Sequence, residues 1–159
     1  MICITDKTKC IGCGNCVHIC PKLCIQLQLD NEGFMYPIAD VSSCINCGKC
    51  HQVCPVEVSL KDEIETSKVI AANHRNNEIR MNSSSGGAFY EFAKYGLEQQ
   101  GIVWGAAFTT PYYVEHIAIE TLKDLSRLQK SKYLQSDITK AFPMIKQQLN
   151  KGKFVIVSG

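Results

Sequence analysis

No run of eighteen apolar residues occurs in the 159-residue chain, so it offers no segment long enough to cross a bilayer as a helix. The opening stretch, Met1-Ile2-Cys3-Ile4-Thr5-Asp6-Lys7, lacks the basic-then-apolar pattern of a secretory signal. An excess of one charge is missing too. Seventeen Lys and Arg face fifteen Asp and Glu, a formal net charge of +2 that gives no electrostatic case for a nucleic-acid or anionic-membrane partner. No phosphate loop, nucleophile elbow or zinc-protease motif is present. What remains, 45% hydrophobic and 20% charged residues, is the composition of a folded globular chain, expected in the cytoplasm with no membrane span.

Cysteine is what the chain has in excess: ten, all within the first 54 residues. In a reducing compartment such crowding points to metal rather than disulfides, and to a small domain stapled by inorganic ligands instead of a large core. The crowding is ordered. Cys10-Ile11-Gly12-Cys13-Gly14-Asn15-Cys16-Val17-His18-Ile19-Cys20-Pro21 returns 34 residues later as Cys44-Ile45-Asn46-Cys47-Gly48-Lys49-Cys50-His51-Gln52-Val53-Cys54-Pro55.

Three closely spaced thiolates wrap one side of a cubane a few ångström across, and the fourth corner must come from elsewhere in the chain. The spacing resembles that of two-cluster ferredoxins, in which the fourth Cys of each run serves the other cluster. This assigns Cys10, Cys13, Cys16 and Cys54 to one 4Fe-4S cluster and Cys44, Cys47, Cys50 and Cys20 to a second. Eight thiolates and two cores of about +2 each would bring the net charge to about −2. Zinc is the rival ligand, but a third Cys at this spacing, a fourth followed by Pro and a full second copy exceed what zinc needs. Gly12, Gly14 and Gly48 permit tight turns beside the metal. Cys3 and Cys24 read as small buried residues. His18 and His51 read as packed or solvated side chains beside the clusters.

Between the runs, Ile25 to Leu29 alternates as a strand, Asp30-Asn31-Glu32-Gly33 as a turn and Phe34 to Ile38 as the returning strand. Ser59 to Asn82 is polar and charged, a linker with a helix or edge strand near Lys68-Val69-Ile70-Ala71. Ser83, Ser84 and Ser85 are N-cap candidates for a helix near Gly87 to Gln100, with Phe89, Phe92, Ala93 and Leu97 on its apolar face and Gly101 as its C′ residue. Ser83 to Gly87 could alternatively cradle a phosphate, and the capped helix start is the simpler reading.

Ile102 to Phe108 and Tyr113 to Glu120 read as a hairpin, and Leu122, Leu125 and Leu128 as a short helix. Ser136 or Asp137 would start another helix, carrying Ile138, Phe142, Ile145 and Leu149 on one face, interrupted at Pro143 and ended at Gly152. Phe154 to Val157 has the apolar character of a central parallel strand. With no helix after it, one sheet face would be uncovered, and the sequence is therefore expected to be part of a longer protein.

Several segments, taken in order, resemble one family. They are the two cysteine runs, Ser83-Ser84-Ser85-Gly86-Gly87-Ala88-Phe89, Gly105-Ala106-Ala107-Phe108 with Val114-Glu115-His116-Ile117, Ser131-Lys132-Tyr133-Leu134-Gln135-Ser136-Asp137, and Phe154 to Gly159. That family is the coenzyme F-420 hydrogenase/dehydrogenase beta subunits and their bacterial relatives, which are iron–sulfur flavoproteins. The resemblance implies Ser84, Ser85, Gly86, Gly87, Lys132, Gln135 and Ser136 as flavin contacts, with FAD as a further cofactor. In that family the final strand continues into a Thr-Pro-Cys stretch and a large C-terminal region that this sequence does not contain.

The expected fold is α+β: a two-cluster ferredoxin-like domain over residues 1–60, a linker over 61–82 and an incomplete α/β domain over 83–159. The expected function is electron transfer as the N-terminal part of a flavin-dependent oxidoreductase subunit, whose partner is a redox protein or a deazaflavin or flavin carrier. As an isolated piece the chain is not expected to turn over as an enzyme. The alternatives are a complete deazaflavin- or flavin-linked oxidoreductase and a metal-stapled binding module without redox role.

Overall fold

The computed structural model describes residue 2, residues 6–58 and residues 69–159. Cys3 and the charged stretch Lys61 to Lys68 lie outside the described residues. The chain divides into two compact units, Met1–Thr66 and Ser67–Gly159.

In the first unit, a 3-10 turn at Lys7–Lys9 leads into helix α1 (Asn15–Ile19), strands β1 (Ile25–Leu29) and β2 (Met35–Ala39), and helix α2 (Lys49–Gln52). The strands form an antiparallel hairpin, with Ile25 opposite Ala39 and Leu29 opposite Met35. Asp30 builds the turn: its carboxylate accepts from the Glu32 and Phe34 N–H groups and from Lys7 Nζ at 3.0 Å. Ile2, Cys16, Cys24, Ile25 and Cys50 make up the buried core. Three of these five are cysteines, so among the described residues little apolar burial holds this unit together without metal.

The second unit runs α3 (Asn77–Met81), α4 (Ala88–Glu98), β3 (Ile102–Thr110), β4 (Tyr113–Ile119), a 3-10 segment (Leu122–Arg127), β5 (Ser136–Asp137), α5 (Ala141–Asn150) and β6 (Val155–Val157). Its sheet has the order β5-β4-β3-β6; β3 and β4 are antiparallel, while β5 and β6 run parallel to β4 and β3 respectively. Alternation along β3 sends Val103 and Ala107 to a core with Ala93 of α4 and with Leu125 and Leu128. Ile102 and Trp104 face the opposite core with Ala141, against which Ile138 and Ile145 pack. Helices therefore cover both faces of the sheet, contrary to the expectation of an uncovered face. β6 is parallel as expected, but it lies at the sheet edge rather than its centre.

Other expectations change for local reasons. Val69 to Ala71 carry no regular element. Gly87, at φ +93°, is the N-cap of α4, and no serine side chain caps it. Ser83 instead donates its hydroxyl to the Ile79 carbonyl at 2.8 Å and closes the end of α3. Ala93 and Gly96 form the buried face of α4, flanked by Phe89 and Leu97, and Phe92 points to solvent. At the far end Gln100 takes the left-handed position (φ +56°) that had been expected of Gly101. Ser136 and Asp137 form β5 rather than opening α5. Pro143 falls in the first turn of α5, where the N–H it lacks has no intrahelical partner, so it does not break the helix.

Candidate metal centres

The two cysteine runs adopt the same backbone. Gly14 and Gly48 each sit at φ +73° as N-caps of α1 and α2. Two residues earlier, Gly12 (φ +65°) and Asn46 (φ +52°) are also left-handed. Val17 N–H bonds to the Gly14 carbonyl as His51 N–H does to that of Gly48, and Cys20 N–H bonds to Val17 as Cys54 does to His51. The third cysteine of each run, Cys16 and Cys50, is buried.

The likeness extends upstream of the motif. Asp6 accepts from the Thr8 N–H at 3.1 Å and hydroxyl at 2.6 Å. Thirty-four residues on, Asp40 accepts from the Ser42 N–H at 2.9 Å and hydroxyl at 2.7 Å. The hydroxyls of Thr8 and Ser43, respectively, are the main reason each carboxyl is held below its usual range. These Asx turns present Cys10 and Cys44. The cysteine spacing alone does not mark them as part of the site, although Asp-x-Thr-x-Cys and Asp-x-Ser-x-Cys are visible once the repeat is extended four residues back.

Two cavities lie beside these loops. The first, about 150 Å³, is walled by Cys10, Cys13, Cys16 and Cys54 together with Gly12, Gly14 and Pro55. The second is narrower, about 20 Å³, and is walled by Cys44, Cys47, Cys50 and Cys20, with Cys24 and Pro21. Each cavity thus collects three thiols from one run and the fourth from the other. Among the described residues no three His, Cys, Asp or Glu side chains converge as closely as a single metal ion requires. Four thiols spread around a wall are the donor set of a polynuclear cluster, so the chemistry of the residues at each cavity suits one. The nine described cysteines are all free.

Burial, reinforced by the neighbouring Cys13, pushes the Cys16 thiol up to about 11. Metal binding there must displace a firmly held proton. Cys20 and Cys24 lie with their sulfurs 3.4 Å apart. Burial pushes Cys20 up, but hydrogen bonds from Cys24 and from the Lys22 and Leu23 N–H groups outweigh it and bring this thiol down. The contact with Cys20, then burial, pushes Cys24 up to about 11. Cys24 is buried as expected, at 8% exposure, and it also forms part of the second wall. His51 pairs through Nδ1 with Glu57.

The flavin candidates of the second unit are dispersed. Lys132 lines a cavity of about 340 Å³ with Lys130, Ser131, Tyr133, Ser158 and Gly105. Its Nζ donates to the Gln129 carbonyl at 2.6 Å, and burial lowers its ammonium pKa. None of Ser84, Ser85, Gly86, Gly87, Gln135 and Ser136 lines that cavity. Ser136 bonds instead to His116 Nδ1 at 2.8 Å. Gly86 packs on backbone: a Cβ there would stand 2.1 Å from the Ala72 carbonyl oxygen.

No helix among the described residues is long and apolar enough to cross a membrane. Comparison with curated proteins found no match. Residues 9–58 match a family described as a 4Fe-4S dicluster domain, and residues 36–86 match a second family of the same description. Neither match reaches past residue 86, so the likeness of residues 83–159 to the coenzyme F-420 family rests on their sequence alone. The chain therefore carries ferredoxin-type 4Fe-4S dicluster domains, with the iron–sulfur and electron-transfer features that such domains bring and a redox partner implied.

Proposed function

We propose that the chain is an electron-transfer module in which Cys10, Cys13, Cys16 and Cys54 hold one 4Fe-4S cluster and Cys44, Cys47, Cys50 and Cys20 hold the other. The observation that carries this reading is the pair of cavities, each walled by four thiols in that crosswise set. When bound, the clusters supply one-electron acceptance and release. The chain's own residues do the rest. The left-handed turns at Gly12, Gly14, Asn46 and Gly48 space the thiols, and Asp6 and Asp40 hold the first thiol of each run in place. Pro55 and Pro21, each directly after the fourth cysteine of a run, line the first and second cavities respectively.

Paired substitutions test the crosswise assignment. Cys10→Ala with Cys54→Ala should cost one cluster, leaving about four of eight iron atoms, whereas Cys10→Ala with Cys20→Ala should cost both. The reverse pattern would show that each run holds its own cluster.

The finer reading is that the module belongs to a flavin-dependent oxidoreductase subunit. In its favour is the cavity around Lys132, with a second lysine (Lys130), two hydroxyls and a fully exposed aromatic ring, Tyr133. Such a lining suits an anionic, planar ligand. FAD added to the purified protein should lose fluorescence, and Lys132→Ala should weaken that binding several-fold; unchanged FAD fluorescence would remove the flavin from the account.

A further inference from the structure

The two halves of the dicluster unit are not equivalent four residues beyond the last cysteine of each run. At that place the first run has Cys24 and the second has Val58. The chain also bends differently there. Leu23 is left-handed (φ +52°), while its counterpart Glu57 is not among the left-handed residues. The bend folds Cys24 back onto its own run. The Cys24 thiol lies 3.4 Å from Cys20 Sγ, and Cys24, 8% exposed as a residue, shares the second cavity with Cys20, Cys44, Cys47 and Cys50. It also contacts Cys44. Among the described residues, no fifth thiol lines the first cavity, which is walled by the other crosswise set.

A hydrogen bond donated to a ligating sulfur draws charge from it and stabilises the more negative, reduced state of the cluster, which raises the reduction potential. The Val58 side chain has no donor, and its N–H is spent on the Cys54 carbonyl at 2.9 Å. We propose that Cys24 is a built-in tuning residue: its thiol donates to Cys20 Sγ and sets the potential of the second cluster above that of the first. Cys24 ligates nothing in this arrangement and acts only through Cys20. The asymmetry gives an otherwise repeated unit a direction, because an entering electron comes to rest at the Cys20 end. This inference depends on the two-cluster reading above.

The test is an anaerobic redox titration of the full chain followed by electron paramagnetic resonance, with iron and sulfide measured on every sample. Cys24→Val carries the side chain of the other half and keeps the site filled. It should lower one of the two potentials, making that cluster about three- to tenfold harder to reduce, about 28 to 59 mV for one electron, and leave the other in place. Cys24→Ser, which keeps a donor, should retain the native separation. Should Cys24→Val hold fewer than eight iron atoms, Cys24→Ala takes its place. Unchanged potentials, equal shifts in both, or a serine variant that behaves like valine would overturn the proposal. Fewer than eight iron and sulfide in the unsubstituted chain would instead overturn the two-cluster reading itself.

Discussion

Gly86 shows how one residue type can carry two opposite readings. In the sequence, the stretch Ser83 to Gly87 resembles a cofactor loop, and glycine there suggests close approach of a ligand. In the structure the close approach is made by the chain's own Ala72 carbonyl oxygen, and His74 N–H bonds to the Gly86 carbonyl at 2.7 Å. Gly86→Ala should therefore destabilise the second unit by about 1–3 kcal/mol, seen as a lower urea midpoint followed by Trp104 emission; an unchanged midpoint would mean that the glycine serves a ligand and not the fold. The cysteine repeat was far more legible, because its two copies share one spacing, and the structure gives both the same backbone turn. Asn46 was not singled out as a turn residue, although it occupies the left-handed place of Gly12. Asparagine tolerates that conformation through its short polar side chain, but nothing in its identity announces it.

Elements were legible where periodicity was strong and misread where a single residue decided the boundary. Strand β1 begins and ends as its alternation predicts, and Gly152 closes α5 at φ +72° with Lys153 N–H on the Gln148 carbonyl. Helix α4 ends by the same motif, Gly101 N–H on the Gly96 carbonyl, but with Gln100 in the place glycine favours. Gly101 is required for a different reason, since a Cβ there would press within 2.7 Å of the Phe154 carbonyl oxygen. Gln100→Gly should raise the stability of the second unit by about 1 kcal/mol, while Gly101→Ala should lower it; chemical denaturation of both variants checks the contrast.

Strand β5, only two residues long, has no periodicity to read. It is held by side chains instead: Asp137 accepts from Tyr113 Oη at 2.8 Å and from the Thr139 N–H at 2.8 Å, and Lys140 Nζ donates to Glu115 at 2.8 Å. Burial alone would raise the Asp137 pKa, but the Thr139 and Tyr113 hydrogen bonds outweigh it and hold the carboxyl below its usual range. The stability this gives is full above the unfolded value, near pH 4, and is lost as pH falls through the lower folded value. Asp137→Asn should reduce stability at pH 7 and flatten the acid limb below pH 4 in thermal melts taken across that range.

At the scale of the whole molecule, the two units rest on different physics. The second buries aliphatic and aromatic side chains on both faces of a sheet, whereas among the described residues of the first, buried cysteines outnumber buried aliphatics. Chelation of iron at neutral pH should accordingly unfold the first unit and leave the second folded. The chain's one tryptophan, Trp104, is 2% exposed within the second unit, with its indole N–H on Gln148 at 2.8 Å. Its emission maximum should stay blue while visible absorption is lost, and a red shift in step with iron loss would tie the two units into one cooperative fold. Function follows the same division in legibility. The ferredoxin-type character of the first unit is legible because its cysteines follow a spacing code. The cavity around Lys132 is assembled from separated stretches of chain, from Gly105 to Ser158, and only the fold brings them together.

The claim on which the account stands is that this chain holds two 4Fe-4S clusters that accept and release electrons. The most direct measurement is iron and acid-labile sulfide analysis of anaerobically purified protein, with an optical spectrum before and after dithionite and after reoxidation. The account predicts about eight iron and eight sulfide per chain, with a broad visible absorption that bleaches on reduction and returns on oxidation. Zinc without sulfide, or iron that does not bleach reversibly, would contradict it.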